Sequence, residues 1–186
     1  MSKNAAFTRM DASSRDEWMQ IGRATMEAQS GVATQILSML RSLAGFHAGF
    51  GVDQLHHALQ TATMAKRANA DDDMVLASLC HDVGKVISIP NHGAIAAEML
   101  KPYVARDVYH VLRTHQDFQG RHYYGHFGMS PTLRDNYRAE PWFALAERFT
   151  DEWDQAAFDP AYQVLPLEEF EPLVRQKFGR FPMGQS

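Results

Sequence analysis

The sequence predicts an all-α protein folded as a single helical bundle. Three observations carry this expectation. Apolar residues recur at three- and four-residue spacing along most of the chain, as in Val32, Ile36, Leu37, Met39, Leu40 and Leu43. Capping residues precede several of these periods, and glycines or prolines interrupt them. No stretch reads as a hairpin, and no repeat or linker divides the chain. With 186 residues and 21.0 kDa, the length suits one domain with a substantial core.

Residues 1–13 read as a mobile arm, polar with scattered apolar residues and without the continuous apolar run of a signal peptide. The single domain is then 14–186. Ser14 or Asp16 caps a first helix to about Ser30, with Trp18, Ile21 and Met26 as a partial apolar stripe. A second helix begins near Gly31 and gives way to the glycine-broken loop Gly45-Phe46-His47-Ala48-Gly49-Phe50-Gly51. Asp53 caps a third to about Asn69. Its Leu55, Ala58, Leu59, Ala62 and Ala65 face the core, and Gln54, His57 and Thr61 form a neighbouring polar strip.

Asp71, Asp72 and Asp73 open the next helix, where they complement its dipole and read as solvated. This helix is apolar on all sides and runs into His81-Asp82, with Gly84 just beyond. Asn91 caps a helix from His92 to Leu100, and another spans about Ala105 to Gln116, with His115 extending the stripe of Val108, Val111 and Leu112. Residues 118–128 are aromatic and glycine-punctuated and read as non-helical. A short helix follows Pro131. A long one begins near Glu140, with Trp142, Leu145, Ala146, Phe149 and Trp153 on one face and Asp154 at its inner end. Pro166 opens a last amphipathic helix containing Leu167, Phe170, Leu173, Val174 and Phe178.

A net charge of -4 and a pI near 6.1 weigh against nucleic acid or an anionic membrane as partner. The one cysteine, Cys80, lies in an apolar run, which suits packing and a reducing compartment. No apolar run approaches the ~20 residues of a membrane helix. These features lead to the expectation of a soluble cytoplasmic protein, its oligomeric state left open.

An all-round apolar helix is buried, so His81 and Asp82 at its end belong inside, where a carboxylate must be paired, hydrogen-bonded or on a metal. His57, His92, His115 and Asp154 sit on or at the ends of other strongly apolar helices. Each alone reads equally well as a satisfied core residue. As a set, imidazoles and carboxylates delivered by separate helices are the material of a dinuclear metal site. Nitrogen and oxygen donors without thiolate suit iron, manganese or zinc.

The ordered residues His57, His81-Asp82 and Asp154 resemble the H…HD…D pattern of the HD-domain superfamily, and His92 and His115 resemble the extra ligands of its binuclear members. Gln54-Leu55-His56-His57-Ala58-Leu59-Gln60 together with His81-Asp82-Val83-Gly84-Lys85 is similar to the small HD-domain oxygenases, among them inositol oxygenase and the organophosphonate oxygenases. The likeness spans about residues 45–178. It implies one iron on His57, His81, Asp82 and Asp154 and a second on Asp82, His92 and His115, with Asp82 bridging a mixed-valent Fe(II)/Fe(III) pair. It also implies O2 as co-substrate and a small organophosphonate as partner. The reaction would cleave the C–P bond of a 1-hydroxyphosphonate, such as (R)-1-hydroxy-2-(trimethylammonio)ethylphosphonate or its 2-amino analogue. Glycine betaine or glycine would result, with phosphate. Lys85 and Asp82 would be the catalytic residues; the other reading of Lys85 is a solvated lysine after a helix end.

The chain departs from these relatives in places. The loop that carries a tyrosine and a glutamate in some phosphonate oxygenases has His47 and Phe50 here, so His47 is the available lid ligand. Gln119 and Asp151 stand where basic groups are expected, leaving Arg113, Arg121, Arg134 and Arg138 as anion-binding candidates or ordinary surface arginines. Phe118, Tyr123, Tyr124 and Phe127, with Phe50 opposite, suggest a cage for a quaternary ammonium, to which Asp151 or Asp117 adds negative charge. The same aromatics would also serve to pack the segment onto the core. Gln54, through its place on the His57 strip, completes the substrate-binding set. The competing activity is an HD phosphohydrolase whose two metals activate water against a phosphate ester. The six ligands do not separate the two, but the short chain and the lack of a nucleotide-binding basic set favour the oxygenase. A third reading is a helical interaction module with structural histidines.

Overall fold

Helices enclose a segment that has no polar face. A computed structural model of the protein describes residues 4–179 and 181, and no strand occurs among them. In chain order the α-helices are α1 (Arg15–Ala28), α2 (Val32–Arg41), α3 (Gln54–Arg67), α4 (Asp72–Cys80), α5 (His92–Leu100), α6 (Arg106–Tyr123), α7 (Phe143–Arg148) and α8 (Glu171–Phe178). Every residue of α4 from Met74 to Cys80 is buried. Removing side chains such as Leu76 and Leu79 from water contributes about 1.5–3 kcal/mol each. Cys80 shares this burial, which pushes its thiol up to about 12 and suits a packing role.

α3 lies along α4, α5 along α6, and α2 along α8, while α6 also meets α4 and α7. All the ligand-type residues therefore come from elements that converge on one end of α4. Asp53 caps α3 by accepting from His56 N at 2.7 Å, and its other oxygen accepts from Gly45 N at 2.9 Å, tying the glycine loop to the helix start. Asp71 caps α4 through Met74 N at 2.8 Å. Asn69, with φ 54°, takes the left-handed conformation that ends α3.

Several expectations are corrected. The stripe of Trp18, Ile21 and Met26 does not enter the core, because α1 has no buried residue. Ser14 and Glu17 form a capping box, and Glu17 also accepts from Ala6 N and Phe7 N at 2.9 and 3.1 Å, so the described part of the N-terminal segment lies along the start of α1. Residues 1–3 and most of the segment after 179 lie outside the described residues. Asp73 is not merely solvated: it accepts from Ala105 N at 2.7 Å and pairs with Lys177 of α8. Asn91 precedes α5, but its side chain makes no capping bond.

The largest difference concerns residues 118–128. α6 does not stop at Gln116 but continues through Gly120 to Tyr123, and a 3-10 turn, Tyr124–Phe127, follows. Gly120 is tolerated because the Tyr124 ring packs where a Cβ would stand. The long helix expected from Glu140 is also divided. Only Phe143–Arg148 is α-helical, and Phe149–Asp154 is a π-helix, seen in the Gln155 N to Thr150 O bond at 3.0 Å. A wide π turn here re-aims the side chains at its end, and Asp154 is one of them.

Candidate metal centre

Four histidines are oriented by the same device. In each, ring Nδ1 faces a backbone carbonyl: His57 that of Ala157 at 3.0 Å, His81 that of Ser78 at 2.8 Å, His92 that of Ile89 and His115 that of Leu112, both at 2.7 Å. A carbonyl can only accept, so Nδ1 carries the proton and Nε2 presents a lone pair. These lone pairs point at one another, with Nε2–Nε2 separations of 3.1 Å for His57–His81 and 3.2 Å for His92–His115. Buried lone pairs at that distance repel unless something positive lies between them.

The carboxylates complete two groups. Asp154 Oδ1 lies 3.2 Å from His57 Nε2 and 3.4 Å from His81 Nε2. Asp82 serves both groups with different oxygens. Its Oδ2 is 3.5 and 3.4 Å from His57 and His81, and its Oδ1 is 3.0 and 3.8 Å from His92 and His115. The two triads, His57–His81–Asp154 and Asp82–His92–His115, are wholly buried and each has its ligand atoms close enough to hold one ion. Asp82 Oδ1 and Asp154 Oδ1 are buried without a hydrogen-bond partner. An orphaned carboxylate oxygen in a dry interior is costly, and a cation shared with the facing imidazoles relieves that cost.

The electrostatics point the same way. Burial works against a charged His81 ring, but the Asp82 and Asp154 carboxylates outweigh it and raise His81 to about 10. Burial likewise opposes ionisation of Asp82 and Asp154, yet a charge on His81 and the facing imidazoles hold both far below the usual carboxylate range. With Nδ1 committed to a carbonyl, the extra proton would sit on Nε2, where a cation would feel the same field.

Close packing supports the second triad. A Cβ on Gly93 would come within 2.7 Å of His115 Cε1, so α5 can approach that ring only with a glycine there. Gly84 has no room for a Cβ against the backbone of His92.

Lys85 Nζ donates to Asp82 Oδ2 and to Gln54 Oε1, each at 2.6 Å. Gln54 is fully buried, lies outside the cleft lining and orients Lys85 through this bond. Gln119 donates to Asp154 Oδ2 at 2.5 Å and fixes that carboxylate.

His57, Asp82, Lys85 and His92 line a cleft of about 600 Å³. Of the residues expected to bind substrate, Phe50, Gln119 and Tyr123 line it as well, and so does Phe127 from the suggested cage. Phe50 stacks on Phe158 at 5.0 Å, and Phe158 on His57 at 4.5 Å. Burial, aided by Tyr124, pushes the Tyr123 phenol up to about 12.

The other candidates stand elsewhere. Phe118 is sealed in the core against Tyr137, Trp142 and Phe143, and Tyr124 folds over Gly120, so the cage is not assembled as expected. His47 and Arg121 are exposed and outside the cleft lining. Arg134 is 3% exposed, lies outside the cleft lining and is held by Asp151 at 3.0 and 3.1 Å and by Glu147 at 3.0 Å. Asp151 also accepts from His122 Nε2 at 3.1 Å. Asp117 accepts from the Tyr137 hydroxyl at 2.7 Å, and Arg138 pairs with Asp135.

Sequence reasoning missed Gln116, His122, His126, Gln155 and Phe158, which also line the cleft. A signal existed for two of them. His115, Gln119, His122 and His126 recur at helical spacing, and this stripe was hidden by reading residues 118–128 as non-helical. Nothing in the pattern marked Gln155 or Phe158.

A search of curated proteins finds no match. Among the described residues, no helix is long and apolar enough to cross a membrane. A scan against protein families finds the HD domain, whose members are metal-dependent enzymes, over residues 55–159, a span that contains all six of the converging histidines and aspartates. With that match over more than half of its length, the chain belongs to the HD-domain family.

Proposed function

We propose that the protein is a two-iron oxygenase that uses O2 to cleave the C–P bond of a small 1-hydroxyphosphonate. The supporting observation is the chemistry of the cleft. Its floor is the shared Asp82 carboxylate with Lys85 upon it, and much of its wall is the rings of Phe50, Phe158, Tyr123 and Phe127. Among the described residues lining it, Lys85 is the one lysine or arginine. A phosphate-ester hydrolase acting on nucleotides needs a richer basic lining, whereas a small substrate whose oxygens meet the metals needs one cation and dry walls.

In the overall reaction one O2 is consumed, and the C–H and C–P bonds of the carbinol carbon break. That carbon leaves as a carboxylic acid and the phosphorus as phosphate. When bound, the irons supply the redox capacity and the Lewis acidity for this change.

His57, His81 and Asp154 would hold one iron and His92 and His115 the other, with Asp82 between them through separate oxygens. The carbonyl locks keep each imidazole in the tautomer that can ligate. The Lys85 ammonium partly neutralises Asp82 and presents its remaining donor to an anionic oxygen of the substrate. The aromatic wall limits water around the reacting carbon and covers the substrate's short amino or trimethylammonio tail.

Electron paramagnetic resonance on partly oxidised, iron-loaded protein tests this reading. The expected result is a coupled mixed-valent signal that changes when a 1-hydroxyphosphonate is added, with O2 uptake and phosphate release in equal amounts. Oxygen-independent turnover of a phosphate ester, supported by manganese or zinc, would refute it.

A further inference from the structure

The first helix buries none of its residues, although its continuation is part of the core. The backbone stays right-handed helical at Ala28, Gln29, Gly31 and Val32, so α1 runs on into α2 through a 3-10 turn. α2 is anchored, with Ala33, Ile36, Leu37 and Leu40 buried and α8 alongside. α1 is therefore an arm. Its base is tied where Gln29 Nε2 donates to the Tyr103 hydroxyl at 3.0 Å and to the Phe178 carbonyl at 2.8 Å. A 14-residue helix is marginal in water when nothing packs on it. This one leaves Trp18, Met19 and Met26 exposed at 43, 49 and 60%. Trp18 is held in place while exposed: its Nε1 donates to Ser13 Oγ at 2.6 Å, and its ring packs on Phe7 at 5.7 Å.

We propose that this arm pairs, antiparallel, with the same arm of a second copy of the chain. Trp18, Gly22 and Met26 recur every four residues and form one ridge, with Met19 beside it. The ridge is its own complement. Reversed about Gly22, it sets Trp18 of each copy against Met26 of the other, an aromatic ring on a thioether, with glycine at the two-fold axis. Gly22 points to a helix as the occupant. Glycine destabilises a helix interior relative to alanine, and among the described residues no atom lies within 4 Å of where its Cβ would stand. Nothing among those residues requires the missing side chain, whereas a second backbone crossing close at that point does. The charges favour a copy of the chain over a lipid surface. Helices that lie on membranes line their polar face with Lys and Arg, but α1 sets Arg15 and Arg23 against Asp16, Glu17 and Glu27 in a chain of net charge -4. Helices of this length span about 21 Å and cover less than the ~800 Å² per partner of a standard interface, so the pair is weak and reversible.

Sedimentation velocity of the full chain from about 1 to 500 µM tests this pairing. The average mass is expected to rise from monomer toward dimer across that range. Trp18→Ala and Met26→Ala should each weaken association about tenfold or more. Gly22→Ala separates contact from helix propensity. It strengthens an isolated helix, so an arm with no partner at Gly22 would associate at least as well as the wild type. In the pairing, the added Cβ parts the two backbones and should weaken association about tenfold. No residue of α1 is buried or lines the cleft, so all three variants should keep the wild-type melting temperature and metal content. Register is read by cross-linking, since the natural Cys80 thiol is buried. An oxidised equimolar mixture of Trp18→Cys and Met26→Cys should give a disulfide-linked dimer that neither variant gives alone. A monomer at every concentration overturns the inference, including one that sediments with anionic vesicles. So does a dimer that any of the three substitutions leaves as tight, or cysteine variants that cross-link as well alone as mixed.

Discussion

Replacing Gly93 by alanine tests the second triad without touching a ligand. The new Cβ would stand 2.7 Å from His115 Cε1, 3.0 Å from its Nδ1 and 3.3 Å from Leu112 O. Carbon atoms settle at about 3.5–4.0 Å, so the ring must yield by roughly 1 Å. It cannot do so freely, because the same Leu112 carbonyl holds Nδ1 at 2.7 Å. Overpacking of this kind costs about 1–3 kcal/mol. Where the strain is relieved by tilting the ring, Nε2 leaves the position facing His92 and Asp82 Oδ1. Misorienting a ligand weakens metal affinity about 10–100-fold. The expected outcome is a protein that keeps its helical circular-dichroism spectrum, binds one metal normally and loses the second on dialysis. Metal analysis by mass spectrometry, with competition against a graded chelator, reads this directly. Retention of two metals at wild-type affinity would show that His115 is not a ligand and refute the second triad.

Asp82→Ala should lose both metals, since each of its oxygens faces a different triad; retention of one would make Asp82 a ligand to a single ion. Lys85→Ala should keep both metals and lose turnover, and full activity would remove Lys85 from the reaction. Stability of the chelated protein should depend on pH in a defined direction, followed by thermal melts. His81, raised in the fold to about 10 from an ordinary 6.5, contributes fully below about 6.5 and loses its contribution as pH rises toward 10. Asp82 and Asp154, both depressed, contribute fully above their ordinary 3.8 and lose that contribution as pH falls below it. The melting temperature should therefore be highest between about pH 4 and 6.5 and fall toward pH 10, with added metal restoring it at the alkaline end. A chelated protein more stable at pH 9 than at pH 6 would contradict these assignments.

The elements most legible in the sequence were those written by neighbours within one or two turns. The all-round apolar run from Met74 to Cys80 announced its own burial, and with it the burial of His81 and Asp82. Ser14, Asp53 and Asp71 announced helix starts, because a cap is a bond to an amide three residues on. Residues 118–128 misled for the same reason. Glycine punctuation is a local signal, and it took the tertiary fit of Tyr124 on Gly120 to override it. The sequence could name Arg134 as a cation but not reveal that two carboxylates already hold it.

By itself, then, the sequence determined an all-α chain and six residues, four histidines and two aspartates, of the types that a dinuclear site requires. Helical periodicity and donor chemistry are properties of residues and their near neighbours. Only the tertiary structure decided which lone pairs face which. Each of the four imidazole protons is spent on a carbonyl, Asp82 divides its two oxygens between triads, and the π turn brings Asp154 to rings some 70–100 residues earlier in the chain. These relations depend on elements distant in sequence meeting at distances of about 3 Å, and no local pattern carries that information.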